Sequence, residues 1–567
     1  MSDKALFVLP FSSRGLDVAS ALAAPLGATL LSGKEATSIE DRWDEAEAFI
    51  AIGAAAILIR LAAPLLRDKG SDPALIVIPE DGAFVLPLLG SHLAGGLDLA
   101  RRCAAILGVP CHGTTATDRR GLTAPDLFAR RMGWTLIGRE ALPYLSGRLV
   151  DGERLSCFID SRLNADLPLP WGYHPGEVPE KADVLISWGE FHLNPNQCQL
   201  VPPLVTAGLG CRPGTTEGQI LEALSEGARR LGLRRESLCR IATIGERADD
   251  CGFASAAAAL RLPFQRLSKE DIASVEGIFS PSAASRHLGL PGVAEPCAAR
   301  YGRLLAPRIK VDGVTVAFAA ERPTFQGGLA IVGTGPGDSR FLTGEAEMVL
   351  QESDVLVGYK PYLDRLPNRL REGKIVHSFS MGEEERRVRV ALALAGKGYA
   401  VALISGGDPV LFGMAGLALN LAGEIPVRLV PGLSAFQAAA PLLGAPYTNG
   451  LSCISLSDYL QPWPDVVRAL KGAATGGLAV ALYNPVRRGL AEKLAEVRRL
   501  FADRQIVFLV KNAGRKDESL RSLPLPELTE NDVDMTTLLF LPPLGARLGG
   551  TQLVDRRGYD AERREGA

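Results

Sequence analysis

The sequence predicts a multidomain α/β protein in which two small α/β domains precede a larger, two-lobed α/β unit. Three observations lead there. The chain has 567 residues, enough for roughly three to five compact units at about 100 to 200 residues each. Short apolar runs alternate with helical patterns along most of its length, as in open, mostly parallel sheets covered by helices. Finally, glycine clusters follow apolar runs directly, at Gly333 and again after Ala400-Val-Ala-Leu-Ile404, and the carboxyl ends of strands are where such sheets bind ligands.

Composition narrows the class. Apolar residues make up 47% and charged residues 22%, ordinary for a globular protein, and 61 Gly with 38 Pro read as many turns. A formal charge of -2 gives no overall pull toward nucleic acid or a membrane surface, so an anionic ligand must meet a local basic pocket. The nine cysteines include no C-x-x-C pair and no His at ligand spacing; they read as thiols in a reducing compartment, with no metal site expected. The longest apolar stretch, Phe49 to Leu66, contains Arg60 and Pro64 and falls short of the roughly 20 clean residues of a membrane span. The start, Met1 to Pro10, reads as a first strand and not as a leader, so a cytoplasmic location is expected.

Residues 1–118 are read as the first domain, with strands Leu6 to Leu9, Ala55 to Ile59 and Leu75 to Ile78 and a helix Asp98 to Leu107. Residues 119–200 are less regular, with the turn clusters Pro168-Leu-Pro-Trp-Gly and His174-Pro-Gly, and are assigned to an intermediate module. A second α/β domain spans 201–305: a strand to Gly208, a helix capped by Thr215 or Thr216, and a strand Arg240 to Ile244. Residues 306–326 are assigned as a linker with room for a short strand or two, the break itself being placed near 320.

The last domain, 327–562, opens on Gly328-Leu-Ala-Ile-Val-Gly-Thr-Gly-Pro-Gly-Asp338. Thr343 is placed to cap a helix with an apolar face at Ala346, Val349 and Leu350; strands Val355 to Val357 and Ala400 to Ile404 and a helix Glu384 to Lys397 complete a parallel first half. A second half is placed from Val427 onward. The spacing G-x-G-x-G with Pro336 inside does not match a dinucleotide fingerprint, and no acidic residue stands where the ribose would need it.

Seven ordered blocks carry a resemblance: Gly333-Thr-Gly-Pro-Gly-Asp338; Ser380-Met381 with Glu384 and Arg387; Ser405-Gly-Gly-Asp-Pro409; Pro431-Gly-Leu-Ser-Ala435; Leu456-Ser-Asp458; Tyr483-Asn-Pro485; and Asn512-Ala-Gly-Arg515. They resemble the tetrapyrrole methylases, in particular precorrin-3B C-17-methyltransferase and its cobalt-using counterpart. The resemblance implies a two-lobed tetrapyrrole methylase fold, S-adenosyl-L-methionine as cofactor, tetrapyrrole (precorrin) substrates and a homodimer formed through this domain. It places the cofactor against Gly407, Asp408, Leu411 and Phe412, with Ser434 and Ala435 adjoining and Asn484, Ala513 and Thr537 on the far wall. Gly335, Pro336 and Gly337 would face the tetrapyrrole. Where the family has Gly after Gly-Asp-Pro, this chain has Val410, which restricts the backbone.

Methyl transfer from a sulfonium demands mainly alignment. The ring contraction that accompanies C-17 methylation needs in addition a base near the C-20 oxygen, for which Asp338 and Asp458 are the candidates on chemical grounds. Each has a structural alternative: Asp338 as cap of the next helix, Asp458 as an orienting group for its loop.

The first 300 residues carry a second resemblance. Ile52-Gly53, Arg60-Leu-Ala-Ala-Pro64, Ser91-His92-Leu-Ala-Gly-Gly96 and Thr114-Thr-Ala-Thr-Asp118 are similar to the amino-terminal domain of cobalt-precorrin-5A hydrolase. Gly208-Leu-Gly-Cys-Arg212, Ala242-Thr-Ile244, Ala248-Asp249 and Val293-Ala-Glu-Pro296 are similar to its carboxyl-terminal domain. That family is implied to open a δ-lactone and release acetaldehyde. No G-x-S-x-G elbow is present, which favours direct attack by water. His92 is the candidate general base; Arg60 and Arg212 suit carboxylates of the substrate, since guanidinium forks onto carboxylate, or alternatively strand-end carbonyls. Asp98 stands where the family has Asn, which raises the alternative of a non-catalytic, corrinoid-binding first half. A methyltransferase of the same fold acting on ribosomal RNA is the other alternative, and it would want a basic face.

Overall fold

A computed structural model of the chain describes residues 4–68, 71–90, 95–113, 121–163, 166–245, 252–281, 289–325, 327–485, 489–549 and 552–555. It divides into two compact units, Met1–Thr324 and Phe325–Ala567. Among the described residues no helix is long and apolar enough to cross a membrane.

The first unit holds three sheets. In the first, β1 (Ala5–Pro10), β2 (Thr29–Leu30), β3 (Ala46–Ile52), β4 (Ala74–Ile78) and β5 (Leu86–Leu89) lie in the order β2-β1-β3-β4-β5, parallel except for β5. Apolar clusters cover both of its faces, so its central strands read as near-continuous apolar runs. That property misleads at Ala55 to Ile59, which is expected as a strand and is instead the first part of a helix, Ala55–Ala62. The strand of this region is β3; Gly53, with φ +141°, ends it, and Ala54 in extended conformation starts the helix. A five-residue apolar run does not distinguish strand from helix by periodicity.

The intermediate module is itself a sheet: β6 (Thr135–Ile137), β7 (Leu155–Ile159), β8 (Tyr173–Gly176), β9 (Val184–Ile186) and β10 (Cys198–Val201), in the order β6-β10-β9-β7-β8. Its strands are short and its polar contacts are buried, which makes it look irregular in sequence. Asp160, 7% exposed, accepts from Arg162 Nη2 at 2.7 Å and Ser187 Oγ at 2.6 Å. The Gln199 amide donates to the carbonyls of Ser187 and Gly189.

The third sheet comprises β11 (Val205–Gly210), β12 (Leu238–Ile244), β13 (Phe264–Leu267), β14 (Arg303–Leu304), β15 (Ile309–Val311) and β16 (Val314–Ala320). Its order is β13-β12-β11-β16-β14, with β15 also paired to β16. Thr216 caps the helix Glu217–Arg230 in a capping box with Gln219. Most of the segment 306–326 belongs to this sheet, as the short strands β15 and β16. β16 pairs antiparallel with β11 from Val205↔Ala320 to Gly210↔Thr315, and it is buried at every residue except Thr315. A Cβ on Gly227 of the covering helix would meet Val316 and Phe318 at 2.8 and 2.9 Å.

In the second unit, β17 (Gly328–Gly333), β18 (Val355–Tyr359), β19 (Ile375–Phe379), β20 (Ala400–Ser405) and β21 (Val427–Val430) form an all-parallel sheet in the order β19-β18-β20-β17-β21. The strand beginning at Val427 thus closes the first lobe and does not begin the second, because a parallel crossover returns it beside β17. After β22 (Gly444–Ala445), the second lobe is a mixed sheet of β23 (Leu451–Ser455), β24 (Ala479–Tyr483), β25 (Ile506–Lys511), β26 (Ser519–Pro524) and β27 (Thr537–Leu541), in the order β23-β24-β27-β25-β26. β28 (Arg547–Gly549) and β29 (Gln552–Val554) join β22 in a small third sheet. Thr343 caps the helix Gly344–Glu352 by accepting from Ala346 N at 3.1 Å, and Ala346, Val349 and Leu350 are its buried face.

Gly208 in β11 tests the packing of the first unit. A Cβ there would lie 2.1 Å from Ala294 O and 2.5 Å from Ala298 N of the helix Ala294–Ala299. Backbone atoms cannot yield as side chains do, so Gly208→Ala is expected to destabilise the first unit by about 2 kcal/mol or more, lowering the urea midpoint of its unfolding transition and leaving that of the second unit in place.

Candidate active site of the second unit

Three loops leave the carboxyl edge of the parallel sheet side by side. Gly333 and Ser405 are register partners at the ends of β17 and β20, and β21 flanks β17 on the other side. Gly407 N donates to Gly335 O at 2.8 Å and Gly335 N to Gly407 O at 3.2 Å. A Cβ on Gly333 would meet Gly432 N at 2.6 Å, and one on Gly432 would meet Gly407 O at 2.3 Å. Only glycine allows this approach.

Asp408 fastens the second loop to the third. Its Oδ1 accepts from Val410 N at 2.8 Å and Leu411 N at 3.2 Å, and its Oδ2 from Gly432 N at 3.2 Å. The carboxylate is thus bonded to the chain's own amides, a role its position after a strand does not reveal. Val410 is 68% exposed and has no left-handed backbone. The constraint falls instead on Phe412, with φ +54°.

Opposite these loops the second lobe brings up Tyr483–Asn484 after β24, residues 512–515 after β25, and residues 535–537 leading into β27. Between the two sides lies a cleft of about 200 Å³. Gly407, Asp408, Leu411, Phe412, Ser434, Ala435, Asn484, Ala513 and Thr537 line it, as do Gly335, Pro336 and Gly337. Tyr362, Arg365, Tyr483, Asn512 and Met535 also line it, and the sequence reading gave them no role. For Asn512 a signal existed: Asn directly after a strand and two residues before Gly is a turn former tolerant of left-handed backbone.

Phe412, Asn484 and Asn512, all lining the cleft, have φ of +54°, +53° and +53°. Such backbone costs roughly 1–2 kcal/mol in a non-glycine residue and concentrates at functional sites. Local bonds hold two of the three. The Asn484 amide donates to Ser455 Oγ at 3.1 Å; that of Asn512 donates to Asp517 Oδ2 at 2.7 Å, and its Oδ1 accepts from Arg515 Nη1 at 2.9 Å.

The glycine-proline loop is pinned across the cleft. Asp338 N donates to Gly514 O at 2.9 Å and Arg515 Nε to Pro336 O at 3.0 Å. The Asp338 side chain caps the short helix Ser339–Phe341, accepting from Arg340 N at 2.9 Å and pairing with Arg340 Nε at 3.2 Å. That amide bond and the adjacent guanidinium hold its carboxyl below the usual range. It faces a depression of about 520 Å³ that shares Gly337, Arg365 and Arg515 with the cleft. Asp458 lines neither cavity: it pairs at 2.8 Å with Lys493, whose side chain is 7% exposed beside the Trp463 ring.

In the first unit the described candidates belong to different sheets. Arg60 is exposed on the last turn of its helix beside the first sheet, and Arg212 is exposed in the loop after β11 of the third sheet. His92, residues 114–118, Ala248 and Asp249 lie outside the described residues. Asp98 pairs with Arg130 Nε at 3.0 Å.

Residues 328–529 match the model of tetrapyrrole (corrin/porphyrin) methylases. Residues 205–319 match the carboxyl-terminal domain of cobalamin synthesis G, and residues 37–118 its amino-terminal domain. A probable cobalt-factor III C(17)-methyltransferase of Salmonella typhimurium is 37% identical over 239 residues, 41% of this chain and 99% of that protein. The precorrin-3B C(17)-methyltransferase of Sinorhizobium sp is 36% identical over 243 residues, 41% of this chain and 93% of that protein. The cobalamin biosynthesis protein CbiHC of Archaeoglobus fulgidus is 37% identical over 241 residues, and there the chain spans only 53% of the relative's length.

Two measurements follow from the geometry. Asn484→Ala loses about 1 kcal/mol or more in thermal unfolding of the second unit, whereas Asn484→Gly, which accepts the left-handed backbone, loses less. Asp534 orders the wall at Thr537. Burial raises its carboxyl, but bonds from Lys511 Nζ at 2.6 Å, Thr536 Oγ1 at 2.7 Å, Thr536 N at 2.8 Å and Thr537 Oγ1 at 3.0 Å outweigh burial and hold it far below the usual range. A depressed carboxyl stabilises the fold above its unfolded value of about 3.9, and that contribution is lost as pH falls toward the folded value. Between about pH 4 and 2 the second unit's stability therefore falls more steeply in the native chain than in Asp534→Asn, as read by urea titration.

The glycine-loop cleft and a relative matched over nearly its whole length agree, and the chain belongs to the tetrapyrrole (corrin/porphyrin) methylase family, with the two cobalamin synthesis G domains preceding the methylase domain.

Proposed function

We propose that the second unit transfers a methyl group from S-adenosylmethionine to C-17 of precorrin-3B or its cobalt counterpart, with contraction of the ring, and that the first unit opens the δ-lactone of cobalt-precorrin-5A with loss of acetaldehyde. The observation that carries the first half is the cleft built on the Gly335–Gly407 pair, with Phe412, Asn484 and Asn512 held in left-handed backbone around it.

The donor set fits the cofactor. Gly407 leaves main chain uncovered, the nearest atoms to an added Cβ standing 3.8 and 3.9 Å away, whereas Gly406 lies under the Tyr362 ring, which a Cβ there would meet at 2.6 Å. Ser434 and Asn484 offer polar groups, and the Phe412 ring lies 5.3 Å from that of Tyr483. S-adenosylmethionine supplies a methyl already activated on a sulfonium, so the chain's contribution is alignment and exclusion of water. Asp408 keeps its loop in place; Tyr483, whose hydroxyl accepts from Phe436 N at 2.9 Å, is fixed behind Phe412. Burial pushes the Tyr483 phenol well up, so it stays neutral. Asp338, on the rim and ionised, is the proposed acceptor for the proton released at the C-20 oxygen. Asp458 is assigned the orienting role for its loop.

For the first unit, the Asp98–Arg130 pair accounts for the acid in place of an amide as a structural substitution, which supports retention of the hydrolase. The small sheet of β22, β29 and β28 exposes Leu548 and Val554, and we read the second unit as the homodimer contact. The buried thiols Cys103, Cys157, Cys198 and Cys297 suit a reducing compartment, which supports a cytoplasmic reaction.

The test incubates the full chain and methyl-labelled S-adenosylmethionine with precorrin-3B and with cobalt-factor III in turn, and separately assays acetaldehyde from cobalt-precorrin-5A. Label is expected in one or both tetrapyrroles; no transfer to either overturns the methylase reading, and no acetaldehyde overturns the hydrolase reading.

A further inference from the structure

The rim of the cleft carries unneutralised positive charge. Arg365 is the last residue of the short helix Lys360–Arg365, and its guanidinium lies 5.8 Å from the Tyr362 ring centroid. It makes no ion pair with a described residue: the adjacent acid, Asp364, is bonded to Lys360 at 2.7 Å and lies 3.7 Å from Arg371. Arg515 spends Nε on Pro336 O and Nη1 on Asn512 Oδ1, so Nη2 is left without a described protein acceptor. Both arginines line the cleft and the depression beside it, and Lys516 lines the depression. Two acids face the same space: Asp338, which pairs with Arg340, and Asp517, which takes a bond from the Asn512 amide and keeps its charge, so the three cations Arg365, Arg515 and Lys516 outnumber them. Burial and the nearby Arg365 both lower the Arg515 guanidinium from its ordinary value, and Asp517 and Asp534 offset them only in part.

Folded chains bring guanidinium groups together in this way where an anion completes the arrangement, and the planar fork of arginine suits carboxylate. We infer that Arg365 and Arg515, with Lys516 behind them, form a carboxylate-docking subsite that receives peripheral carboxylate side chains of the tetrapyrrole and so sets which edge of the macrocycle faces the methyl donor. This rests on the proposed methylase reading for its substrate class. Gly337 lies between the two cavities, and a Cβ there would meet Arg515 Cγ at 2.8 Å. The glycine therefore leaves the arginine stem the room it needs to reach the rim.

The probe is uroporphyrin III, an octacarboxylic porphyrin, titrated into the full chain and followed by its absorbance and fluorescence at low salt. The native chain binds it, and Arg365→Ala weakens binding about ten- to hundredfold, the range for loss of a charged hydrogen-bonding partner. Arg365→Lys recovers part of the loss, added salt narrows the difference, and Arg369→Ala, whose guanidinium is paired with Glu347 at 2.7 Å, leaves affinity unchanged. The octamethyl ester of the porphyrin binds weakly to every form. Equal affinity of native chain and Arg365→Ala, equal affinity for the ester, or no binding of uroporphyrin by the native chain each overturns the subsite. Binding does not require methyl transfer, so a native chain that binds through Arg365 but moves no methyl overturns the reaction and leaves the subsite standing.

Discussion

The site of the second unit depends on two main-chain hydrogen bonds, from Gly407 N to Gly335 O and from Gly335 N to Gly407 O. They bring the loop after β17 against the loop after β20 beyond the ends of both strands, so the two loops act as one surface. Backbone can approach backbone this closely only without side chains. Gly333 and Gly432 meet that demand on the third side, where a methyl group would fall within 3 Å of main-chain atoms of the facing loop. Everything further along is hung on this joint: Asp408 bonds Gly432, Pro336 receives Arg515, and Asp338 N reaches Gly514 O.

That dependence explains how much of the site was legible. Glycines needed for close approach leave a signature in sequence, and the loops at Gly333, Gly407 and Gly432 were placed through it. The same letters do not say what the loop's acid does. Asp408 is a fastener among amides, and Asp338 a cap beside Arg340; in both, the deciding atoms are main-chain N–H groups, which the residue type does not disclose. The far wall was less visible still, because Asn484 and Asn512 act through left-handed backbone, a state that Asn shares with many ordinary turns. In the first unit the one misplaced element has the opposite origin. Ala55 to Ile59 reads as a strand but is helix, because apolar content without a long period fits a covered strand or a buried helix until neighbours are known.

Strained backbone needs support, and the second lobe provides it with short polar bonds. Asn512 is held on one side by Asp517 and on the other by Arg515, while its N–H reaches Thr536 O at 3.1 Å. Thr536 and Thr537 are in turn gathered by Asp534, which is paired with Lys511. The chain of bonds runs from the end of β25 to the start of β27, two neighbouring strands, so the wall is as rigid as the sheet that carries it. Such rigidity has a chemical use: a methyl transfer that needs alignment loses rate steeply when its walls shift by an ångström.

Charge follows a similar division of labour between fold and ligand. Arg387, 4% exposed, has no carboxylate within ion-pair distance among the described residues, and the protein holds it by other contacts: Nη2 donates to Ser380 O at 3.2 Å, Nη1 approaches Met414 Sδ at 3.8 Å, and the Tyr359 ring lies 5.8 Å away, while Nε is buried without a hydrogen-bond partner. It is a strut between the helix Glu384–Gly396 and the end of the loop that begins at Asp408. Arg365 and Arg515 stand in contrast, because Asp364 is committed to Lys360, neither arginine has a carboxylate within ion-pair distance among the described residues, and both line a cavity. A chain with a formal charge of -2 can therefore still present a basic rim, and it does so without a basic face by keeping the acids nearby occupied. The distinction matters for specificity. A buried arginine that packs between two elements fixes shape, whereas one facing a cavity at a rim contributes most when the right anion arrives, so its energy is reserved for telling one ligand from another.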